Sequence, residues 1–173
     1  EKGLPVQELA AFNHMAIYLR WCIEHHMMRG EFLHMASAWV KGILTDPEHT
    51  DLRVFIRDEL EGVLTGDIFN EQGEAFAEYY YSDRSAPYFP SDIDDYAFGY
   101  FGEERYYAEE FKDEAYLFIP SDEKYYQEMA KVIKKRWDGW RPAPRDQEPT
   151  PVARALMRYL DCECRYFPPL ADD

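Results

Sequence analysis

A chain of 173 residues fits one ordinary globular domain, since domains run about 100–200 residues. Its 46% hydrophobic and 17% aromatic content excludes a disordered chain despite a net charge of -15. With 34 acidic against 19 basic side chains, direct binding of nucleic acid or of an anionic membrane surface is excluded, and the expected partner is basic or neutral.

In chain order, Gln7–Met28 reads as a long helix through the core, with Leu9, Phe12, Met15, Ala16, Leu19, Cys22 and Ile23 at three- and four-residue steps. Gly30 is placed to end it in the left-handed conformation. A second helix is expected over Glu31–Gly42. Asp46-Pro47 then reads as a cap with a first-turn proline, and Leu52, Phe55, Ile56, Leu60 and Val63 give an amphipathic helix over Asp51–Leu64. Asp67 is the expected cap of a helix over Ile68–Tyr81, whose interior Gly73 implies close approach of another backbone or side chain.

Pro87 and Pro90 mark Ser82–Pro90 as a loop, and Ser91-Asp92-Ile93-Asp94 opens a short helix carrying Tyr96, Phe98 and Phe101. Arg105–Glu114 has helical character, while Ala115–Ile119 is either a strand or a buried extended segment. Ser121 is placed to cap a last core helix, Asp122–Trp140, with Tyr126, Met129, Ile133, Trp137 and Trp140 on one face and Lys131, Lys134 and Lys135 on the other. The prolines from Pro142 to Pro151 mark a strap leading to an amphipathic helix over Val152–Leu160. The expected fold is mainly α: one bundle-like helical domain over residues 1–140 with at most one or two short strands, and a strap and terminal helix over 141–173 packed on it.

The negative charge is localised. Asp51–Glu128 holds 21 acidic and 6 basic residues, so that stretch carries the whole imbalance, and it also holds 11 of the 14 tyrosines. Tyrosine beside carboxylates suits a protein-binding surface, because the phenol offers rigid apolar area with a polar tip and the acids steer a basic partner. The alternative is a solvated acidic face over ordinary aromatic packing.

Cys22, Cys162 and Cys164 form no paired framework, which favours a reducing cytoplasm over a disulfide scaffold. Cys162-x-Cys164 lacks a second ligand pair for a structural zinc. No signal peptide or spanning segment is visible, because the apolar stretch around Ala10–Ile23 is broken by Asn13, His14 and Arg20.

On the first helix, His14, Tyr18 and His25 lie roughly along one face with Cys22 on the same side, and a pocket beside His14, Tyr18, Trp21 and His25 would have Asn70 and Glu74 approach across the Gly73 contact. That constellation defines the competing class, a small metal- or ligand-binding protein or an enzyme. Its spacing matches no zinc motif, and in Glu24-His25-His26 adjacent helical residues diverge by about 100°. Hydrogen-bonded helix histidines are the simpler reading. Neither a nucleophile elbow nor a phosphate-cradling glycine loop is present, and neither a cofactor nor a catalytic residue is expected.

Three blocks carry a resemblance: Ala10–His25 around His14-Met15-Ala16-Ile17-Tyr18-Leu19-Arg20-Trp21-Cys22-Ile23-Glu24-His25, then Asp67–Tyr80, and the helix from Val132-Ile133 to Arg136-Trp137. Over roughly Leu9–Trp140 the chain resembles an uncharacterised family of small bacterial proteins that look like immunity proteins of polymorphic-toxin and contact-dependent competition systems. The resemblance implies a cognate toxin domain as partner and brings no catalytic residues. A surface for such a partner would use Asp92, Asp94, Asp95, Glu103, Glu104, Glu109 and Glu110 to cover a basic site, with Tyr96, Tyr100, Tyr106 and Tyr107 as anchors.

Overall fold

The computed structural model describes residues 7–82 and 87–140. The chain divides after Trp140, and all the described residues belong to the first unit, Glu1–Trp140. The strap and terminal helix expected over 141–173 lie outside them.

Among the described residues there are eight α-helices and no sheet, so the mainly α expectation holds. The first helix, α1 (Asn13–Glu24), buries Ile17, Tyr18, Leu19, Trp21, Cys22 and Ile23. Apolar residues surround its axis, as a helix inside the core requires. It is shorter than the periodicity predicts. Glu8–Phe12 is a 3₁₀ turn, and the C-terminus is closed by His26, not by Gly30. His26 adopts φ 59, the Met27 N–H donates to the Cys22 carbonyl at 2.9 Å, and the His26 N–H donates to that of Ile23 at 3.3 Å. This is a Schellman closure with histidine in the position usually held by glycine. Histidine is among the residues that tolerate the left-handed region.

Gly30 instead opens α2 (Gly30–Met35), which a break at the buried Ala36 separates from α3 (Ser37–Thr45). Asp51 caps α4 (Leu52–Glu59) by accepting from the Arg53 N–H at 3.0 Å. Glu61 and Gly62, both at positive φ, stop that helix short of the predicted Leu64 and leave Val63 exposed.

The cap of α5 (Glu71–Ala77) is Asn70, not Asp67. Its Oδ1 accepts from the Gly73 N–H at 2.8 Å, and its Nδ2 donates to the His26 carbonyl at 2.8 Å. The same side chain thus starts α5 and holds the closure of α1. Met28 and Phe69 form an antiparallel bridge beside it. The close approach expected at Gly73 is real: a Cβ there would run into the Met27 carbonyl oxygen, which already accepts the Asn70 N–H at 2.9 Å. Gly73→Ala is expected to lower stability by about 1–3 kcal/mol in urea unfolding despite alanine's better helix propensity, because the clash is with anchored backbone.

After α5 the chain widens into a π turn over Glu78–Ser82 that buries Tyr80. The next helix, α6 (Phe89–Phe101), begins two residues before the predicted Ser91, with Pro90 in its first turn. A proline there loses no helical hydrogen bond. Gly102, at φ 75, ends it, and the short α7 (Glu103–Tyr106) follows. The predicted helix over Arg105–Glu114 and the predicted strand or extended run at Ala115–Ile119 are replaced by 3₁₀ turns at Glu109–Phe111 and Ala115–Phe118. The last helix described, α8 (Glu123–Gly139), is capped by Asp122 instead of Ser121. It buries Tyr126, Met129 and Ile133 as expected, with Tyr125 beside them, and leaves Lys131, Lys134 and Lys135 exposed. Helix α1 packs against α3, α4 and α8, and α6 packs against α8.

Candidate functional site

Helix α6 divides its residues by face. Phe89, Ile93 and Ala97 are buried at four-residue steps, and Asp92 joins them at 7% exposure. Asp92 therefore does not belong to the expected acidic surface. Both its oxygens accept from Arg136 of α8, at 2.7 and 2.9 Å, and its Oδ2 also accepts from the Tyr80 hydroxyl at 2.7 Å. A buried carboxylate needs this full complement of donors, and the result here is a clamp joining α6, α8 and the π turn.

The opposite face of α6 and the segment after it form the acidic surface. Glu110 pairs with Arg105. Asp94, Asp95, Glu103, Glu104, Glu109, Asp113 and Glu114 have no ion-pair partner among the described residues. Aromatic rings rise between them: Phe98 is 41% exposed, Tyr100 49% and Tyr107 67%. Tyr106 meets Phe98 edge-on at 5.3 Å and Tyr107 at 4.9 Å. Tyr100 meets Phe101, which packs on the buried Phe111, so the exposed rings stand on a fixed base. Tyr96 is half-buried, stacked on Tyr125 at 4.9 Å, and contributes less free area. The Asp94 carboxylate beside the Tyr106 hydroxyl, with burial behind it, pushes the phenol up to about 12. Tyr106 is thus a neutral donor at physiological pH.

The histidine face divides into separate environments. His14 and His25 lie 11 residues apart, about 16 Å along the helix, too far to share a ligand. The His25 ring stacks on Trp21 at 4.1 Å, and its Nδ1 contacts the Trp21 carbonyl at 2.8 Å. Tyr18, between them, is buried among Phe69, Phe76, Tyr80, Tyr81 and Phe89. Its hydroxyl has the Cys22 thiol as polar neighbour and no hydrogen-bond partner among the described residues. Asn70 is occupied as a cap, and Glu74 lies 3.8 Å from Arg29. No group of three metal-ligating side chains occurs among the described residues.

His14 belongs elsewhere. With Tyr88, Pro90, Ser91, Ile93, Asp94, Asp113 and Tyr116 it lines a cleft of about 370 Å³, and its ring meets that of Tyr116 edge-on at 6.3 Å. Its Nδ1 is buried without a partner, and burial lowers the pKa of the ring, which is neutral at pH 7. Asp113 reaches the rim through two consecutive left-handed residues, Lys112 at φ 49 and Asp113 itself at φ 63. In a larger cleft of about 510 Å³ between α1, α4 and the start of α8 both arginines are already paired. There Arg20 donates to both oxygens of Glu123, at 2.7 and 3.0 Å, and to Glu24 at 2.9 Å, while Arg53 pairs with Asp51.

Asp94, Tyr106 and His14 stand out in the sequence, but nothing there joins them. Tyr88, Asp113 and Tyr116 do not stand out, and Phe98 reads only as a helix residue with no sign of its exposure. No local signal marks the left-handed pair at Lys112-Asp113.

A family described as a domain of unknown function, DUF7832, matches residues 1–109, and the chain belongs to that family. The match includes α1 through α7 and the acidic helix α6, and it stops short of Asp113 and Tyr116. Neither a curated protein nor a solved structure matches the chain. No helix among the described residues is long and apolar enough to cross a membrane.

Proposed function

We propose that this chain is an immunity protein that binds and neutralises a cognate bacterial toxin domain in the cytoplasm through its acidic, tyrosine-rich face. The observation that carries the reading is the set of carboxylates around Phe98, Tyr100 and Tyr107 that have no ion-pair partner among the described residues. Acids alone would serve as a solvated face. Exposed aromatic side chains on a rigid base are what a protein interface uses to gain binding energy, and the surrounding charge selects a basic partner and speeds encounter. A toxin site built to hold an anion is such a partner. The family match assigns no function, so the reading rests on this surface and on the resemblance to immunity proteins.

The test begins with the neighbouring gene. If it encodes a toxin with a variable C-terminal domain, expressing that domain in a bacterial host should arrest growth, and co-expressing this chain should restore it. Persistent arrest together with the absence of a complex between the purified proteins would refute the reading. Replacing Asp95, Glu103, Glu104 and Glu109 together by lysine should slow association roughly tenfold or more and flatten its salt dependence, as read by stopped-flow. Unchanged kinetics would remove the acidic face from the mechanism.

A further inference from the structure

We infer that the ring cluster of Phe98, Tyr106 and Tyr107 is a docking point for the cationic side chains of a basic segment on the partner, held on the faces of the rings. This rests on the proposed partner-binding role and names the contact that retains the partner: the acids bring the segment in, and the rings keep it. The three ring planes stand at 70°, 68° and 88° to one another, with centroids 5.3, 6.3 and 4.9 Å apart. Edge-on contacts of this kind fix each ring against its neighbours. The cluster is also open to a visitor, since Tyr107 is the most exposed of the large apolar side chains described and Phe98 is exposed beside it. Aromatic area that is rigid before binding loses little freedom when a partner arrives.

Two observations select a cation over an apolar side chain as the occupant. A ring face carries partial negative charge and attracts cations, and the charge around these rings has the same sign, because Asp94, Asp95, Glu103 and Glu104 have no ion-pair partner among the described residues. An apolar side chain would cover the rings while leaving that charge uncompensated. The second observation is where the chain's own cations sit. Arg105, next to the cluster in sequence, lies over the Phe111 ring at 4.9 Å and pairs with Glu110, and Arg20 lies over the Tyr126 ring at 3.6 Å. Ring faces in this fold thus take a cation where one is in reach. Among the described residues no lysine or arginine lies over Phe98, Tyr106 or Tyr107, so these faces are left for a cation from outside.

The probe is octalysine, titrated into the full chain by calorimetry over a range of salt concentrations. Phe98→Leu combined with Tyr107→Leu removes two rings and keeps every charge. It should weaken binding roughly tenfold while leaving the salt dependence of the affinity as it was, because that slope follows charge. Replacing Phe98 by pentafluorophenylalanine keeps the shape of the ring and reverses its quadrupole, so it should weaken binding as well, whereas a ring serving only as apolar area would tolerate it. Met35→Ala with Leu44→Ala, which trims exposed side chains on α2 and α3, should have no effect. Failure of octalysine to bind, ring variants that bind it as tightly as the unaltered chain, or an equal loss in the Met35 and Leu44 variant would each overturn the inference. If the ring variants hold octalysine normally and the toxin domain still forms its complex, the ring contact falls and the immunity reading stands. If they lose octalysine while the chain neither relieves growth arrest nor binds the toxin domain, the ring contact stands and the immunity reading falls.

Discussion

Replacing Arg136 by methionine is expected to lower stability by about 3–5 kcal/mol, because removing one partner of a buried ion pair strands the other. The two members are unequally placed: the Asp92 side chain is 7% exposed and that of Arg136 36%. A bereft arginine can turn to water, whereas a bereft carboxylate keeps only the Tyr80 hydroxyl. Asp92→Asn, which retains an acceptor for Tyr80, should therefore cost less, about 1–2 kcal/mol. The double variant should cost less than the sum of the two, since each single change destroys the same contact. Midpoints of urea unfolding for the three variants check this ordering, and a larger loss for Asp92→Asn than for Arg136→Met would contradict the assigned burial. The same clamp fixes the orientation of α6, so Arg136→Met should also weaken partner binding although Arg136 lies outside the acidic surface.

Asp92 shows why the sequence revealed the character of this site but not its membership. Read as a string, Ser91-Asp92-Ile93-Asp94-Asp95 is one acidic run. Folded as a helix, it turns Asp92 inward with Ile93 and Asp95 outward, and the inward position is acceptable only because Arg136, 44 residues later, supplies two donors. No local pattern encodes that partner. The core faces of α1 and α8 were legible, because buried apolar residues at helical spacing have few alternative uses. Helix ends were not. Asp67 and Ser121 are sound caps by type, yet Asn70 and Asp122 do the capping. The choice at Asn70 is fixed by a tertiary bond to the His26 carbonyl, and at His26 by the clasp between Met27 and Asn70. The aromatic, acidic composition of Asp51–Glu128 was legible as a tendency; its division into a surface and a pocket depends on the left-handed turn at Lys112-Asp113.

Phe76→Ala should be comparably damaging, at about 3–5 kcal/mol, the usual cost of deleting a buried phenyl ring and leaving a cavity. Phe76 is 0% exposed. It has Trp137 edge-on at 5.0 Å, Trp140 at 5.3 Å, Tyr80 at 5.4 Å and Trp21 at 5.8 Å. Such large rigid rings on α1, the π turn and α8 cannot collapse into the space, so the cavity should persist and near-UV circular dichroism should lose intensity. Phe76→Leu, which keeps most of the volume, should cost about 1–2 kcal/mol. The damage should also travel, because Tyr80 connects this cluster to Asp92: its ring packs on Phe76 and its hydroxyl donates to the carboxylate. Burial and Asp92 together raise the Tyr80 phenol far above its ordinary range, so it is a donor at neutral pH. Loosening its ring should therefore weaken the clamp on α6. A double-mutant cycle between Phe76→Leu and Asp92→Asn should show coupling above about 0.5 kcal/mol, whereas independent sites would add. Simple additivity would mean that Tyr80 holds its position without Phe76, and that the aromatic core and the acidic helix are separately built.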